Sequence, residues 1–390
     1  MLNKPRELNI ALIGTRFMGK AHTSAWSRVS SVFDLDVQPV LKVVCGRDIE
    51  TLQTFASRWG WEETSDDWRA TIERDDIDIV DISLPTHMHA EVAIAAAKAG
   101  KHVFCEKPMS ITIEEAQQMV EAAESAGIVN YINHNYRRMP AVMLARQLIS
   151  EGRVGRIFHW RGTYQQDWII DPEFPLTWHL QKEYAGSGPQ GDLNSHSVDL
   201  AHFLVGDIDS VSCQTAQFIN KRPIPDSGEA STFQAGTASN QKGLVTVEDA
   251  SLMTVEFKSG ALGSFEATRF AAGRKNHNSF EIYGSEGSLI FDLQRPNELE
   301  FFSRNDDAHI QGFRTILVTE ALHPYIDKWW PPGHNIGYEH TFVHAAADFI
   351  EAIIQEKQIH PNFADGLKTM KVLQTALQSS ERRQNLKVVS

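Results

Sequence analysis

The chain has 390 residues, 42% hydrophobic and 22% charged, with a formal net charge of −13 and no long block of like charge. That length supports two cores, the balance is that of a soluble globular protein, and the net negative charge argues against nucleic acid or an anionic membrane as the main partner. Three widely spaced cysteines, Cys45, Cys105 and Cys213, argue against a disulfide scaffold or a zinc ribbon; with no apolar leader in "MLNKPREL" and no long apolar run, a reducing cytoplasm is the expected setting.

The first third alternates short apolar runs with helical patterns. "LNIALIG" predicts a strand and Gly19 to about Val32 a helix; "VLKVVCG" is a second strand, followed by a helical "DIETLQTFASRWG". "IDIVDISLP" is a third, leading to the helix "HAEVAIAAAKAG" with Gly100 as its C-cap. "HVFCEKP" is a fourth, "EEAQQMVEAAESAG" the next helix, and "IVNYINHNYR" a fifth strand. Such alternation implies a parallel sheet of βαβ units, so residues 1–138 read as an α/β Rossmann domain that binds a dinucleotide. After about Pro140 one helix, "AVMLARQLISEG", precedes the strand "VGRIFHWRGTYQQ" and a buried helix "NSHSVDLAHFLVG". Alternating strands then run from Ser210 to Phe302, and two helices close the chain. Residues 139–390 therefore read as an α+β domain with a largely antiparallel open sheet, serving substrate binding and oligomerisation. "INKRPIPDSGEASTFQAGTASNQKG", rich in Pro, Gly, Ser and Thr, reads as a long loop.

The stretch "IALIGTRFMGKAH" is nearly a G-x-G-x-x-G fingerprint, with Arg16 in place of the middle glycine. Gly14 permits the tight turn and Gly19 close helix–strand packing, while Thr15, Arg16, Phe17 and Met18 line the loop, with Arg16 beside a phosphate. At the end of the second strand, "VVCGRD" places Gly46 where an acid would bind a ribose 2′-OH, and Arg47 next to it. NAD or NADP is the expected cofactor, with a lean to NADP; Asp48 keeps NAD open if the strand ends two residues later. Leu84, Pro85, Thr86, His87 and His89, after the third strand, read as walls of the cofactor site, and Glu106 and Lys107, after the fourth, are counted with them.

In "CEKP", Lys107 stands at the carboxyl edge of a parallel strand, where its ammonium can polarise a carbonyl or stabilise an alkoxide. Glu106 is placed to position that ammonium and Pro108 to fix the turn; taken alone, a surface lysine in a turn is the simpler reading. "GDLNSHSVDLAH" puts Asp192, His196 and Asp199 near one helix face, and a histidine suits general acid/base work near neutral pH. Asp192 and His196 are also metal-ligand types, but no third ligand matches them, and no metal is expected. A capped core histidine is the commoner fate of a lone His. Tyr164, Gln166, Trp168 and Trp178, in "GTYQQDWIIDPEFPLTWHL", either floor a sugar pocket or fill the core.

Together "IGTRFMGKAH", "HAEVAIAAAKAGKHVFCEKP", "NYRR", "GDLNSHSVDL" and "FADGLK" resemble the glucose–fructose oxidoreductase, inositol dehydrogenase and rhizopine-catabolism (Gfo/Idh/MocA) family over nearly the whole chain. "NYRRMPA", "RGTYQQDW" and "AGSGPQGDLNSH" look most like its levoglucosan dehydrogenase and inositol dehydrogenase-like branch. The resemblance implies a catalytic set of Lys107, Asp192 and His196. His196 is the acid/base, Lys107 holds the reacting oxygen, and Asp192 binds a neighbouring hydroxyl or orients the set. It also implies Tyr338 and Asn135 near the cofactor, and Tyr136 and Arg137 near the substrate. The expected activity is an NAD(P)-dependent oxidoreductase moving a hydride between nicotinamide and a secondary alcohol or ketone of a sugar, anhydrosugar or cyclitol, in a homodimer or homotetramer. The rivals are an NAD-dependent glycosidase that oxidises its sugar transiently and a non-catalytic nucleotide-binding regulator.

Overall fold

The computed structural model describes residues 6–225 and 238–389. The chain divides into two compact units. The first comprises residues 1–139, 327–330 and 336–367; the second comprises 140–326, 331–335 and 368–390.

The first unit opens with β1 (Arg6–Ile13), α1 (Phe17–Val32), β2 (Val37–Cys45), α2 (Ile49–Trp59), β3 (Glu63–Ser65), α3 (Trp68–Ile72) and β4 (Ile79–Ile82). It continues with α4 (His89–Lys98), β5 (His102–Cys105), α5 (Ile113–Ala126) and β6 (Asn130–Ile132). The strands form one sheet in the order β3-β2-β1-β4-β5-β6 with every pairing parallel. The expected Rossmann sheet is present, with a sixth strand. β3 and α3 escaped the sequence pattern because each is shorter than the window over which periodicity is visible. β4 is buried along its whole length, as helices on both faces of a parallel sheet require. Helix ends are set locally: the Asp48 carboxylate accepts from the Glu50 and Thr51 amides, and Thr112 and Glu115 form a capping box on α5.

The second unit contains α6 (Pro140–Ser150), β7 (Ile157–Gln165), α7 (Lys182–Ala185), α8 (Pro189–Asp192), α9 (Asn194–Leu204) and β8 (Ile208–Ala216). Then come β9 (Lys221–Pro225), β10 (Ala238–Leu244), β11 (Ala250–Phe257), β12 (Leu262–Thr268), β13 (His277–Gly284), β14 (Gly287–Asp292), β15 (Glu298–Ser303) and β16 (Arg314–Leu317). α10 (His340–Ile354) falls in the first unit, α11 (Phe363–Arg382) begins there, and β17 (Leu386–Lys387) ends the second. The nine-stranded sheet runs β16-β15-β14-β13-β7-β12-β11-β8-β17, antiparallel except for β7 beside β12. Buried and exposed residues alternate along β11, as expected when one face is covered and the other open.

The stretch read as a long loop is corrected in part: β9 and β10 pair antiparallel, and residues 226–237 lie outside the described residues. Arg222 supplies the physical reason. Its fully buried guanidinium donates to the carbonyls of Ile169, Asp171 and Phe174, which pins β9 where its composition suggested irregular chain.

In the first unit, Phe104 is the hub of an aromatic core. Its ring lies 4.9 Å from Tyr131, 5.5 Å from Trp26 and 5.4 Å from Phe349 of α10.

Candidate active site

The strand order of the first sheet reverses between β1 and β4, and the loops beyond their carboxyl ends form the crevice in which such sheets bind ligands. Gly14 follows β1 with φ +109°, and a Cβ there would lie 2.6 Å from the Ser83 carbonyl oxygen. A Cβ on Gly19 would lie 2.2 Å from the Gly14 carbonyl oxygen. Both glycines are therefore sterically required, and the Ser83 hydroxyl closes the corner by donating to the Gly14 carbonyl at 2.8 Å. Arg16 is the N-cap of α1 at φ −77°, a conformation open to any residue, and its side chain is exposed. The substitution for glycine thus costs the backbone nothing. Thr15 shares the turn, and Phe17 and Met18 open the helix.

Gly46 and Arg47 occupy the turn after β2, which ends at Cys45. The strand does not extend toward Asp48. That residue belongs to α2, where one carboxylate oxygen accepts two amides and the other accepts the Thr51 hydroxyl at 2.8 Å. Leu84 and Pro85 follow β4, and Thr86–Met88 form a 3-10 turn containing His87. His89 is less a wall than a brace: its ring nitrogens lie 2.9 Å from the Pro108 carbonyl and 2.8 Å from the Leu84 carbonyl. It links the loops after β4 and β5, and burial lowers its pKa.

Lys107 is half-buried immediately after β5, and the Lys107–Pro108 peptide is cis. The Glu106 carboxylate, buried behind it, accepts the Lys107 backbone N–H at 3.2 Å and the Asn133 amide at 2.6 Å. Asn135, Tyr136 and Arg137 form a 3-10 turn after β6. Asn135 donates to the Thr341 hydroxyl at 2.8 Å, and the buried Arg137 lowers the pKa of Asp365. The Tyr338 ring is parallel to Phe17 at 6.4 Å and lies 6.2 Å from Tyr136; burial pushes its hydroxyl well above the usual tyrosine range.

In the second unit Asp192 ends α8 and His196 lies in α9, with Leu193 between the two short helices. His196 and Asp199 are buried, and the His196 ring lies 5.8 Å from that of Tyr164. Gly188 starts this corner because a Cβ there would meet the Glu248 carbonyl oxygen at 2.0 Å, and the Glu248 carboxylate accepts the Gln190 amide at 2.8 Å.

Two residues missed in the sequence organise this half. Arg269, just past β12, donates to the Asp192 carboxylate at 2.7 Å and lies with its guanidinium 5.3 Å from the centre of the Trp168 ring. Asn276, just before β13, accepts the Tyr164 hydroxyl at 2.8 Å and the Gln166 amide at 2.9 Å, while Gln166 accepts the Trp168 indole N–H at 2.8 Å. Trp178 stacks on His179 at 3.6 Å, and His179 meets Trp168 edge-on at 5.9 Å. Tyr164, Gln166, Trp168, Trp178, Asp192 and His196 thus belong to one polar and aromatic cluster. Only the isolated arginine in "EATRF" signalled Arg269.

Among the described residues no group of three or more His, Cys, Asp or Glu is arranged to hold a metal ion, and no helix is long and apolar enough to cross a membrane. The three cysteines are free and buried.

Comparison with known proteins follows the same division. Residues 8–134 match the family model of the oxidoreductase NAD-binding Rossmann fold, and residues 142–290 that of the GFO/IDH/MocA C-terminal domain. The chain is 42% identical to levoglucosan dehydrogenase of Pseudarthrobacter phenanthrenivorans over 97% of each. A crystal structure of an oxidoreductase domain protein from Kribbella flavida is similar at TM-score 0.93 and 46% identity, covering 99% of this chain and 100% of that one. A levoglucosan dehydrogenase solved in complex with NADH and levoglucosan is similar at TM-score 0.93 and 41% identity, with the same coverage.

Proposed function

The chain belongs to the Gfo/Idh/MocA oxidoreductases, and from that premise we propose that it oxidises a secondary hydroxyl of a sugar, anhydrosugar or cyclitol, or reduces the matching ketone, with a nicotinamide dinucleotide. The observation that carries this reading is the near full-length likeness to an enzyme solved with NADH and levoglucosan. The Gly14–Gly19 corner fits the cofactor, since a Cβ at either position would fill the place where the loop must fold tightly. When bound, the nicotinamide supplies the hydride acceptor or donor.

The chain's own residues do the rest. His196 takes the proton of the reacting hydroxyl in the oxidative direction and returns it in the reductive one. Lys107 holds that oxygen and stabilises the negative charge that develops on it. Asp192, held by Arg269, binds a neighbouring hydroxyl and fixes which carbon presents its hydrogen. Trp168 and Trp178 supply flat apolar surface for the sugar's C–H face.

The finer cofactor reading is a lean toward NADP(H), with NAD(H) also accepted. Gly46 sets no carboxylate against a 2′-phosphate, Arg47 is exposed beside it, and Asp48 spends its oxygens on α2. The free thiols fit a cytoplasmic setting, and the exposed Leu252 and Leu262 on the open face of the second unit's sheet fit a homo-oligomer.

A panel of anhydrosugars, sugars and cyclitols, incubated with NAD and with NADP and followed by nicotinamide absorbance, tests the function. Stoichiometric accumulation of reduced cofactor with an anhydrosugar or sugar is the expected result. Cleavage of a glycoside without net cofactor reduction establishes the redox-neutral alternative instead, and binding without any turnover the regulatory one.

A further inference from the structure

A buried chain of charged side chains runs behind Lys107, and its centre is a histidine that the proposed chemistry does not use. His22 lies in α1 and is 1% exposed. Its Nδ1 is 2.7 Å from the carboxylate of Asp81 in β4, and its Nε2 is 2.9 Å from the carboxylate of Glu106. Asp81 also accepts the Trp26 indole N–H at 2.6 Å, and Glu106 accepts Asn133 and the Lys107 backbone N–H. A neutral imidazole donates from one nitrogen only. The Asn133 amide nitrogen also lies 3.1 Å from Nε2, farther than the Glu106 carboxylate. The nearer contact at each ring nitrogen is a carboxylate, which is met when both carry protons and His22 is an imidazolium between two anions.

We propose that His22 is a positioning residue for Lys107: the cation it places between Asp81 and Glu106 keeps Glu106 ionised on the Lys107 turn, and Glu106 in turn keeps the Lys107 ammonium charged. The inference rests on the role given to Lys107 above. Burial acts against the His22 charge, but Asp81 and then Glu106 outweigh it and raise the pKa to about 10. Glu106 is lowered from its ordinary value although burial acts the other way, through His22 first and then Lys107. The other titratable groups around Glu106 and Asp81 are the Cys105 thiol, pushed well up by burial, the Tyr338 hydroxyl, also raised, and His89, lowered. Without His22 two buried carboxylates share no imidazolium, and burial drives a proton onto one of them. With that proton on Glu106, Lys107 loses the charge with which it interacts, and its ammonium is expected to deprotonate at lower pH.

The test is the pH dependence of kcat for the wild type, His22→Gln, Glu106→Gln and the double variant, with NADH affinity by fluorescence and melting temperature in parallel. His22→Gln is expected to move the alkaline limb down by about one pH unit. Glu106→Gln is expected to move it the same way, and the double variant no further, because both changes act through one carboxylate. NADH affinity is expected to stay within about threefold, since neither side chain forms the glycine corner. A limb that stays in place in His22→Gln, or shifts that add in the double variant, overturns the proposal and leaves His22 structural. His22→Asn replaces the glutamine variant if that one does not fold. Lys107→Met separates the two readings. A Lys107→Met enzyme that stays active removes Lys107 from the chemistry and this inference with it. An inactive one beside an unmoved His22→Gln limb sinks the inference alone.

Discussion

Arg269 holds the Asp192 carboxylate at 2.7 Å from a guanidinium that is itself 1% exposed, while Asp192 keeps 27% of its side chain accessible. The anion is thus pinned from behind and open in front. A carboxylate free to rotate offers a hydroxyl many geometries; one tied to a buried guanidinium offers few, which suits the role proposed for Asp192. Trp168, 5.3 Å from the guanidinium carbon, joins the pair to the aromatic cluster.

Arg269→Met keeps much of the side-chain volume and removes the charge. It is expected to lower kcat/KM for the sugar by roughly 30-fold or more, the cost of leaving a part-buried carboxylate without its partner. NADH affinity is expected to be unchanged. Arg269→Lys is expected to recover part of the loss, since a lysine supplies the charge without the forked geometry. Steady-state kinetics together with a melting curve separate lost positioning from lost folding. Wild-type kcat/KM in a folded Arg269→Met enzyme dismisses the role.

His196→Ala is expected to lower kcat by about 100- to 10,000-fold, the usual contribution of a positioned acid/base. Because the role proposed for His196 is proton transfer and not cofactor binding, NADH titration is expected to give the wild-type affinity. Retention of most activity removes His196 from the mechanism.

Gly46→Asp examines the cofactor edge. A Cβ at position 46 meets Leu52 Cδ1 at 3.4 Å, ordinary contact, so the turn accepts a side chain. The new carboxylate is expected to repel a 2′-phosphate and to accept the ribose 2′-OH. A charge-assisted hydrogen bond contributes about 1.5–3 kcal/mol, so the NAD-to-NADP affinity ratio is expected to rise tenfold or more. Fluorescence titration with both reduced cofactors measures it; an unmoved ratio places the ribose edge elsewhere.

Stability has its own pH signature. His22 is raised from 6.5 to about 10, so the stability it lends is full below about 6.5 and is lost as pH rises through about 10. Glu106 is lowered, so its contribution is present above its unfolded value and is lost as pH falls through the folded one. The wild type is expected to lose ~4–8 °C of melting temperature between pH 7 and pH 10 beyond any loss seen in His22→Gln. Parallel slopes for the two proteins in that window assign the alkaline loss to other groups.

The residues legible in the sequence were those whose roles are local. Gly14 and Gly19 sit at a strand–helix corner that six residues define, and Lys107 and His196, proposed for the chemistry, stand in short motifs. Arg269 and Asp192 are 77 positions apart, and His22 and Glu106 are 84 apart. No periodicity joins such pairs, because only the closed sheet brings them into reach. β9 was hidden for a related reason: Arg222 anchors it to carbonyls some fifty residues earlier, and composition reports only the prolines beside it. The alternative reading of Asp48 turned on two residues of strand end, the scale at which element boundaries blur.

Residues 336–367 group with the first unit although about two hundred residues of the second precede them. The amide of Asn135 donates to Thr341, His344 lies 2.9 Å from the Arg138 carbonyl, and Phe349 packs on Phe104. Genetic recombination among relatives meets this wiring directly. A chimera joined by one crossover at Met139 gives the recipient's nucleotide-binding half a foreign closing helix. Its core has then to be repacked across a seam that the graft never intended to touch. Exchanges that respect the junctions at 139/140, 326/327, 330/331, 335/336 and 367/368 keep each half with the atoms it evolved against.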